Sequence, residues 1–425
     1  MIVAGVLLIL LALFGAPLFA VVTAAAMLSF HRADVDLSVV AIEIYRLAET
    51  PMLLAIPLFT FAGYLLSESQ APTRLVRLAG AFLGWMPGGL AIVALIACAL
   101  FTAFTGASGV TIVALGALLY PALKQAGYSD SFSLGLITSS GSLGVLFAPA
   151  LPLILYGVVA QQLGLGISFT IDELFLAGLL PGLLMLVLLS IWSYWQSRDQ
   201  ALQKPSWTET RSALRECVWE IPLPFIVLGG IYSGYFAISE AAAVTTLYVV
   251  VVEVGIYREV PVKSLPRVMR DSMVLVGAIL VILGASLAST NAMIDAEVPT
   301  RIFAAIREHI SNPLTFLALL NVLLLILGTM LDIFSALVIM VPLLLPIAVS
   351  YGIDPVHLGI IFLANMQLGY FTPPIGMNLF IASYRFKKPI ITIYRATLPF
   401  FIILLLAVLI ITYWPALSLT LPGRL

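Results

Sequence analysis

The sequence predicts an all-α polytopic membrane protein built as an inverted repeat, with two re-entrant helical hairpins and two broken helices. Three observations predict it. First, 62% of the 425 residues are hydrophobic and only 10% are charged, whereas soluble domains carry about 25% charged residues; the mean hydropathy is +1.13. Second, apolar runs of roughly 20 residues, enough to cross a bilayer, recur from end to end. Third, two stretches, SSGSLGVLFAP at 139–149 and ANMQLGYFTPPIGMN at 364–378, set Ser, Thr, Asn or Gln beside Gly and Pro inside otherwise apolar sequence. A lipid-facing helix has no use for that composition, because backbone groups freed in hydrocarbon are costly unless something satisfies them. Broken backbone at membrane depth is tolerated where it lines an enclosed site, and half-helix ends and loose carbonyls there suit small ions.

Taken in order, residues 2–29 can span and end near His31 and Arg32. With no basic n-region and no clear cleavage site, this segment is read as a first membrane helix rather than a removed signal peptide. LSVVAIEIYRLAE (37–49) mixes apolar residues with Glu43, Arg46 and Glu49, the pattern of a helix lying in the interface or packing on a partner. A span follows at about 51–67. The apolar arms 90–105 and 110–123 flank FTGASG (104–109); each is too short to cross comfortably, so a re-entrant hairpin is expected. Residues 131–160 cross with the first break inside, and spans follow at about 174–195, 221–237, 240–257 and 271–290. Residues 314–349 repeat the hairpin pattern around GTMLDIFS (328–335), 356–384 cross with the second break inside, and 390–414 form a last span.

Basic residues fix the orientation. The loop 161–173 has no Lys or Arg, whereas 74–77, 196–220, 258–270 and 385–388 carry Arg74, Arg77, Arg198, Lys204, Arg211, Arg215, Arg258, Lys263, Arg267, Arg270, Arg385, Lys387 and Lys388. Placing the latter four in the cytoplasm satisfies the positive-inside bias. The hairpin at 90–123 then enters from the cytoplasm, and the one at 314–349, five crossings later, from the opposite side. The letters repeat too: Pro121 and Pro346, Gly127 and Gly352, Leu143 and Leu368, Gly144 and Gly369, and Pro149 and Pro374 are each 225 positions apart. Internal symmetry with matching interrupted helices is the sequence signature of a secondary transporter's site.

Other classes fit poorly. The net charge of −1 and the lack of a basic stripe exclude a nucleic-acid partner. Cys98 and Cys217, and His31, His309 and His357, are too scattered for a disulfide framework or a zinc site. An intramembrane aspartyl protease needs two facing aspartates where only Asp332 is expected at depth, and no buried Ser–His pair is evident. No GxxxxGK[ST] loop is present to hold nucleotide, nor is a charged pore-lining ring expected.

A hard cation takes oxygen ligands, and the first unit offers Thr105 and Ser108 at its hairpin tip, Ser140, Ser142 and the carbonyls around Gly144 to Pro149. The second offers Asp332 at its tip, with Asn365, Gln367, Thr372 and the carbonyls around Gly369 to Met377. Pro149, Pro373 and Pro374 leave upstream carbonyls without their helical donor. Asp332 sits between apolar runs, where an ionised side chain is a functional candidate by default; it reads equally as an N-cap of the following helix, and both roles are compatible. The structural alternative for the Ser and Thr residues is helix packing by small side chains. Ser140, Ser142, Asn365 and Gln367, together with Asn291 and Arg301, are the candidate substrate contacts. For Asn291 the alternative is a surface cap, for Arg301 a solvated loop charge. Glu240 reads as a first-turn acid at a helix N-terminus.

Five stretches carry a resemblance: FTGASGVTIVALGALLYPALKQAGYSDSF (104–132), TSSGSLGVLFAPALPLILYG (138–157), SEAAAV (239–244), LGTMLDIFSALVIMVPLLLPIAVSYGIDPVHLGIIF (327–362) and NMQLGYFTPPIGMNLFIAS (365–383). In these the chain resembles the large membrane subunit of tripartite ATP-independent periplasmic (TRAP) transporters. The resemblance implies a Na⁺-driven elevator in an inner membrane, in which a transport domain bearing both hairpins slides against a scaffold. It also implies a small four-helix membrane subunit, expected here as a separate chain, and a periplasmic binding protein that delivers a small organic anion. By the same resemblance, Thr105, Ser108, Gly144, Leu146 and Pro149 form one sodium site, and Asp332, Gly369, Thr372, Pro373 and Met377 the other. The chain divides into scaffold 1–70, transport repeat 1 over 71–160, scaffold 161–270, transport repeat 2 over 271–385 and a C-terminal span 386–425. Two departures from the family pattern stand out: Ala148 replaces one member of a Pro-Pro pair, and AISEAAA (237–243) stands for TPTEAAA. The alternative expectation is a stand-alone Na⁺- or H⁺-coupled carrier without accessory subunits.

Overall fold

The computed structural model describes residues 7–8, 10–11, 14, 16–46, 49–163, 169–197, 207–233, 235–310 and 312–424. Much of the N-terminal part of the expected first span, residues 164–168 of the Lys-free loop, and Arg198 and Lys204 lie outside them. The chain runs through α1 (Leu18–Arg32), α2 (Ser38–Arg46), α3 (Ala55–Glu68) and α4 (Ala71–Leu83) to a first hairpin, α5 (Gly89–Thr105) and α6 (Ser108–Gln125). The first broken helix is α7 (Asp130–Ser140), a tight turn at Leu143–Leu146, and α8 (Leu151–Gln162). Then come α9 (Ile171–Gln196), α10 (Trp207–Glu216), α11 (Pro222–Tyr232), α12 (Ile238–Val250), continued by a π-helical stretch at Val251–Ile256, α13 (Leu265–Asp295) and α14 (Val298–His309). The second hairpin is α15 (Pro313–Met330) and α16 (Ile333–Ser350), the second broken helix α17 (Pro355–Gly369) and α18 (Met377–Phe386). Two helices close the chain, α19 (Ile390–Tyr413) and α20 (Ala416–Leu419). No strand occurs among the described residues. Among the described residues, six helices are long and apolar enough to cross a membrane, seven spans if the bent first broken helix counts as one.

The repeat extends to the helix ends. Thr105 and Met330, Ser108 and Ile333, Gln125 and Ser350, and Asp130 and Pro355 are matching termini, each pair 225 residues apart. Both hairpins leave through a glycine in the left-handed region, Gly127 at φ 89° and Gly352 at φ 77°, a conformation that a Cβ disfavours. Both breaks hold a cis peptide bond, before Pro149 and before Pro374. In the first, α7 and α8 meet at 42°, where the imide nitrogens of Pro149 and Pro152 interrupt the helical hydrogen-bond ladder. The hairpin joints fall at 106–107 and 331–332, inside the stretches where the Gly, Ser and Asp residues placed them.

The helices pack as two groups. In one, α3 lies on α12 and α13, and α13 also carries α1 and α2, with Ala26, Phe30, Val40, Ala288 and Ala292 forming a small core of their own. In the other, the repeats interlock: α16 packs on α8, and α6 on α18. Each hairpin thus supports the other repeat's broken helix. Two further helices join these groups. α9 joins the hairpin-bearing group against α5, α17 and α19, because Gly178 and Gly182 let it sit directly on the first break: a Cβ at Gly178 would lie 2.1 Å from the Leu146 carbonyl oxygen. α13 packs on α1–α3 and also touches α16 of the second repeat.

Ion pairs bind the basic loops into one face. Arg74 of α4 is 7% exposed and pairs with Glu220, Glu259 and, at 3.3 Å, Glu253, with its guanidinium 4.0 Å over the Tyr257 ring. Arg77 pairs with Glu209 at 2.7 Å and with Glu216; this holds the arginine's pKa above and the Glu209 carboxyl below their usual values. Arg424 joins Glu173 at 2.7 Å to Asp354 at 3.1 Å on the opposite face.

Helix contacts this close leave no room for a methyl group. At Gly135 a Cβ would lie 2.1 Å from the Ala396 carbonyl oxygen of α19, whereas at Gly277 of α13 nothing lies within 4 Å. Thermal unfolding in detergent is expected to show Gly135→Ala destabilised by about 1–3 kcal/mol and Gly277→Ala neutral to slightly stabilised.

Candidate functional site

The hairpin tips and the breaks meet through buried hydrogen bonds. At the first tip, α5 ends on Gly106 at φ 65°, and the chain re-enters α6 at Ser108, whose hydroxyl donates to Asn378 Oδ1 of α18 at 2.8 Å. Asn378 Nδ2 reaches back to the Thr138 carbonyl of α7 at 3.4 Å. Thr102 donates to the Gly141 carbonyl at 2.9 Å, where α7 stops. Thr105 is fully buried, yet its hydroxyl has no hydrogen-bond partner. Across from it, Gly63 of α3 touches this tip backbone to backbone: a Cβ there would come 2.6 Å from the Phe104 oxygen and the Thr105 Cα.

The second tip is built differently. Asp332 is the N-cap of α16: Oδ1 accepts from the Phe334 and Ser335 amides at 3.0 Å each, and the Ser335 hydroxyl donates to Oδ2. The Tyr370 hydroxyl, from the second break, accepts the Ile333 amide at 2.8 Å. Asp332 thus has the capping role expected of it, and it is also exposed to a cavity.

Between the breaks, the Ser142 hydroxyl donates to the Gln367 carbonyl at 3.2 Å. These two residues are themselves 225 apart, so the pseudo-twofold axis passes between them. Gly144 packs against Ala99, Thr102 and Ala103 of its hairpin, as Gly369 packs on Gly328 of the other.

A cavity of about 790 Å³ lies against the tips, bounded by Ala107, Ser108 and Gly109, by Asp332 and Phe334, by Tyr370 and Met377, and on the far side by α3 and α13. Three helices, α6, α16 and α18, begin on its wall. Their dipoles present partial positive charge, although the first amides of α16 are already bonded to Asp332 and Tyr370, and among the described residues no Lys or Arg lines the space. Glu68, Asp271 and Asp332 supply its carboxylates. Glu68 and Asp271 adjoin the arginine-rich face, with Arg267 and Arg270 as partners, so the cavity lies toward the face that the positive-inside bias assigns to the cytoplasm.

Of the sodium candidates, Ser108, Asp332 and Met377 line the cavity. Thr105, Gly144, Leu146, Pro149 and Gly369 are buried behind it. The Leu146 carbonyl faces Gly178. Thr372 is partly buried, its hydroxyl bonded to the Leu368 carbonyl at 2.8 Å, and Pro373 is exposed. Ser140, Ser142, Asn365 and Gln367 lie inside the hairpin-bearing group, at most 1% exposed and outside the cavity wall. Asn365 donates to Asn321 Oδ1 at 2.6 Å and Gln367 to Met185 Sδ at 3.4 Å. Asn291 lines a second, smaller pocket, and Arg301 is exposed on α14. Gly63, Tyr370 and Asn378 are site-building residues that sequence reasoning did not select. Asn378 sits in the polar stretch already singled out; Gly63 carries no signal that separates it from any small residue in a membrane helix.

Removing the Ser108 hydroxyl isolates a buried amide oxygen on Asn378. Ser108→Ala is expected to cost about 1–3 kcal/mol of thermal stability, whereas Ser350→Ala, on an exposed hydroxyl bonded within its own helix, should leave the melting curve in place.

The model for the family described as "Tripartite ATP-independent periplasmic transporter, DctM component" matches residues 3–417. The chain is similar to the C4-dicarboxylate TRAP transporter large permease protein of Pseudomonas aeruginosa, 35% identical over 91% of this chain and 89% of that one. It is 34% identical to the isethionate TRAP transporter permease protein of Oleidesulfovibrio alaskensis, over 87% of this chain and 58% of that longer one. Its fold is similar to that of the YdaH transporter of Alcanivorax borkumensis, with a TM-score of 0.63 at 15% identity over 90% of this chain and 88% of that one. The chain belongs to the DctM family of TRAP transporters: it is a multi-pass permease of the inner membrane and not an enzyme.

Proposed function

We propose that this permease couples Na⁺ entry to the uptake of a small organic anion, a carboxylate or sulfonate, by an elevator displacement of the hairpin-bearing helices against α1–α3 and α11–α13. A periplasmic binding protein delivers the anion, and a small four-helix membrane subunit, a separate chain, completes the assembly. The observation that carries this reading is the convergence of three helix N-termini on a cavity that no Lys or Arg among the described residues lines, beside the cavity-facing carboxyl of Asp332. Helix N-termini hold anions without basic side chains, and the low charge lets the site cross the membrane at small electrostatic cost.

For the cation, the chain offers oxygen donors with unused capacity. Thr105 contributes a fully buried hydroxyl that lacks a partner. Asp332 supplies side-chain oxygens on the same cavity that Ser108 faces. Binding there would neutralise Asp332 before the anion arrives, giving Na⁺ first and anion second. The elevator reading is supported by the opposing wall, where Val268, Leu275, Ala278, Ile279 and Ile282 of α13 present smooth apolar surface.

Asp332→Asn separates capping from charge, because Asn caps helices as well as Asp does. In proteoliposomes containing the permease, the small subunit and the binding protein, uptake of succinate, isethionate, ectoine and sialic acid (the last two because they name further relatives) is measured with and without a Na⁺ gradient. Wild-type uptake of at least one compound should require Na⁺. Asp332→Asn should lower it at least tenfold with little change in melting temperature, and Thr105→Val should lose the stabilisation that added Na⁺ gives the wild type. Uptake indifferent to Na⁺, or unchanged in Asp332→Asn, would sink the coupling.

A further inference from the structure

α13 presents one continuous stripe to the hairpin-bearing helices. Val268, Asp271, Leu275, Ile279 and Ile282 line the cytoplasm-facing cavity. At the same helical spacing the stripe continues into Ser286, Thr290 and Asn291, which line a pocket of about 380 Å³ on the opposite side of the membrane. Residues three and four apart share a helix face, so both spaces are bordered by one rail. Its two stretches differ chemically. The lower one is apolar and ends in a carboxylate. The upper one offers two hydroxyls and an amide, all neutral.

The upper stretch is also incompletely used. Thr290 is 4% exposed, and its hydroxyl has no partner. Ser286 donates to the Val338 carbonyl of α16, a contact that sliding must break. Glu43 and Glu49 border the same pocket, so the hydrogen-bond donors facing an anion's oxygens there come from neutral side chains, those of α13 among them.

We propose that Ser286, Thr290 and Asn291 form the scaffold-side wall of the anion site when the permease faces outward, and that the anion loses these donors as the site moves down the rail. This rests on the elevator reading above. From the level of Leu275 to that of Leu287 is about 18 Å at 1.5 Å rise per residue, which sets the stroke. An anion hydrogen-bonded to the scaffold outside and facing apolar side chains inside is held more tightly at the outer face and released at the inner one. The rail thereby gives the two faces unequal half-saturating concentrations, with the direction of net transport set by the sodium gradient, and its upper donors help set which anions are accepted.

The test uses the assembled transporter in proteoliposomes. Native Cys98 and Cys217 are buried and silent to aqueous cross-linkers. The pair Ala107→Cys with Ile279→Cys should be captured by a bifunctional maleimide as the structure stands, and Ala107→Cys with Asn291→Cys only after the stroke. Thr290→Val and Asn291→Ala should each raise the half-saturating concentration for external uptake of the best of the four compounds about three- to tenfold, the loss of one neutral hydrogen bond. Counterflow from the inner face should be unaltered. Failure to capture the 107–291 pair under any condition overturns the elevator reading itself. Capture of that pair with half-saturation unchanged in both variants overturns the wall while leaving the elevator standing, and equal effects at both faces overturn the claimed asymmetry between them.

Discussion

A backbone group inside hydrocarbon must find its partner within the protein, and the rest of this structure depends on that constraint. A helix that stops halfway leaves amides and carbonyls open, and four helices here stop halfway: two at hairpin tips, two at breaks. None is stable alone. The repeats solve this by enclosing one another, α16 against α8 and α6 against α18, so that the Ser108 hydroxyl meets Asn378 and the Ser142 hydroxyl meets the Gln367 carbonyl. The inverted repeat is therefore more than a relic of duplication; each half supplies the polar surroundings that the other half's broken backbone requires. What the protein does not satisfy, at the cavity wall, is left to the transported species.

Symmetry in the backbone coexists with asymmetry in the chemistry. Ala107 and Asp332 occupy equivalent positions 225 residues apart, one with no side-chain cap and the other with a carboxylate that accepts from two amides and a hydroxyl. The first break is buried along most of its length, whereas Pro373, Pro374 and Ile375 of the second are exposed. Two sites with the same frame thus have different charge and different access, which suits ordered binding better than two equal sites would.

The fold was legible because its signals are compositional. Gly and Pro mark the breaks, Lys and Arg mark one face, and a 225-residue offset recurs in letters that the structure extends to helix ends. Group membership was less legible. Nothing in the hydropathy of α9 says that Gly178 and Gly182 admit the first break, or that α13 binds α1 to α3; both are decided by the shape of the facing surface. At the site, sequence found the tip residues Thr105, Ser108 and Asp332, because polar residues in apolar runs announce themselves. It could not distinguish Ser108, on the cavity, from Ser140 and Ser142, sealed inside, since all three sit in the same kind of polar stretch. Gly63 was invisible for the opposite reason: its function is to be absent from the space that the first tip fills.

The ionic knot around Arg74 has a mechanical meaning. A guanidinium held by Glu220, Glu253 and Glu259 and stacked on Tyr257 ties α4 to the segments flanking α11 and α12, which the proposed elevator would leave fixed. The next helix, α5, belongs to the hairpin-bearing group that the same proposal would move. All bending between the two must then be concentrated in the five residues Gly84–Gly88, which contain Pro87 and end with Gly88 at φ 72°. Arg74 is in effect the bolted leaf of a hinge, and the segment after α4 its pin.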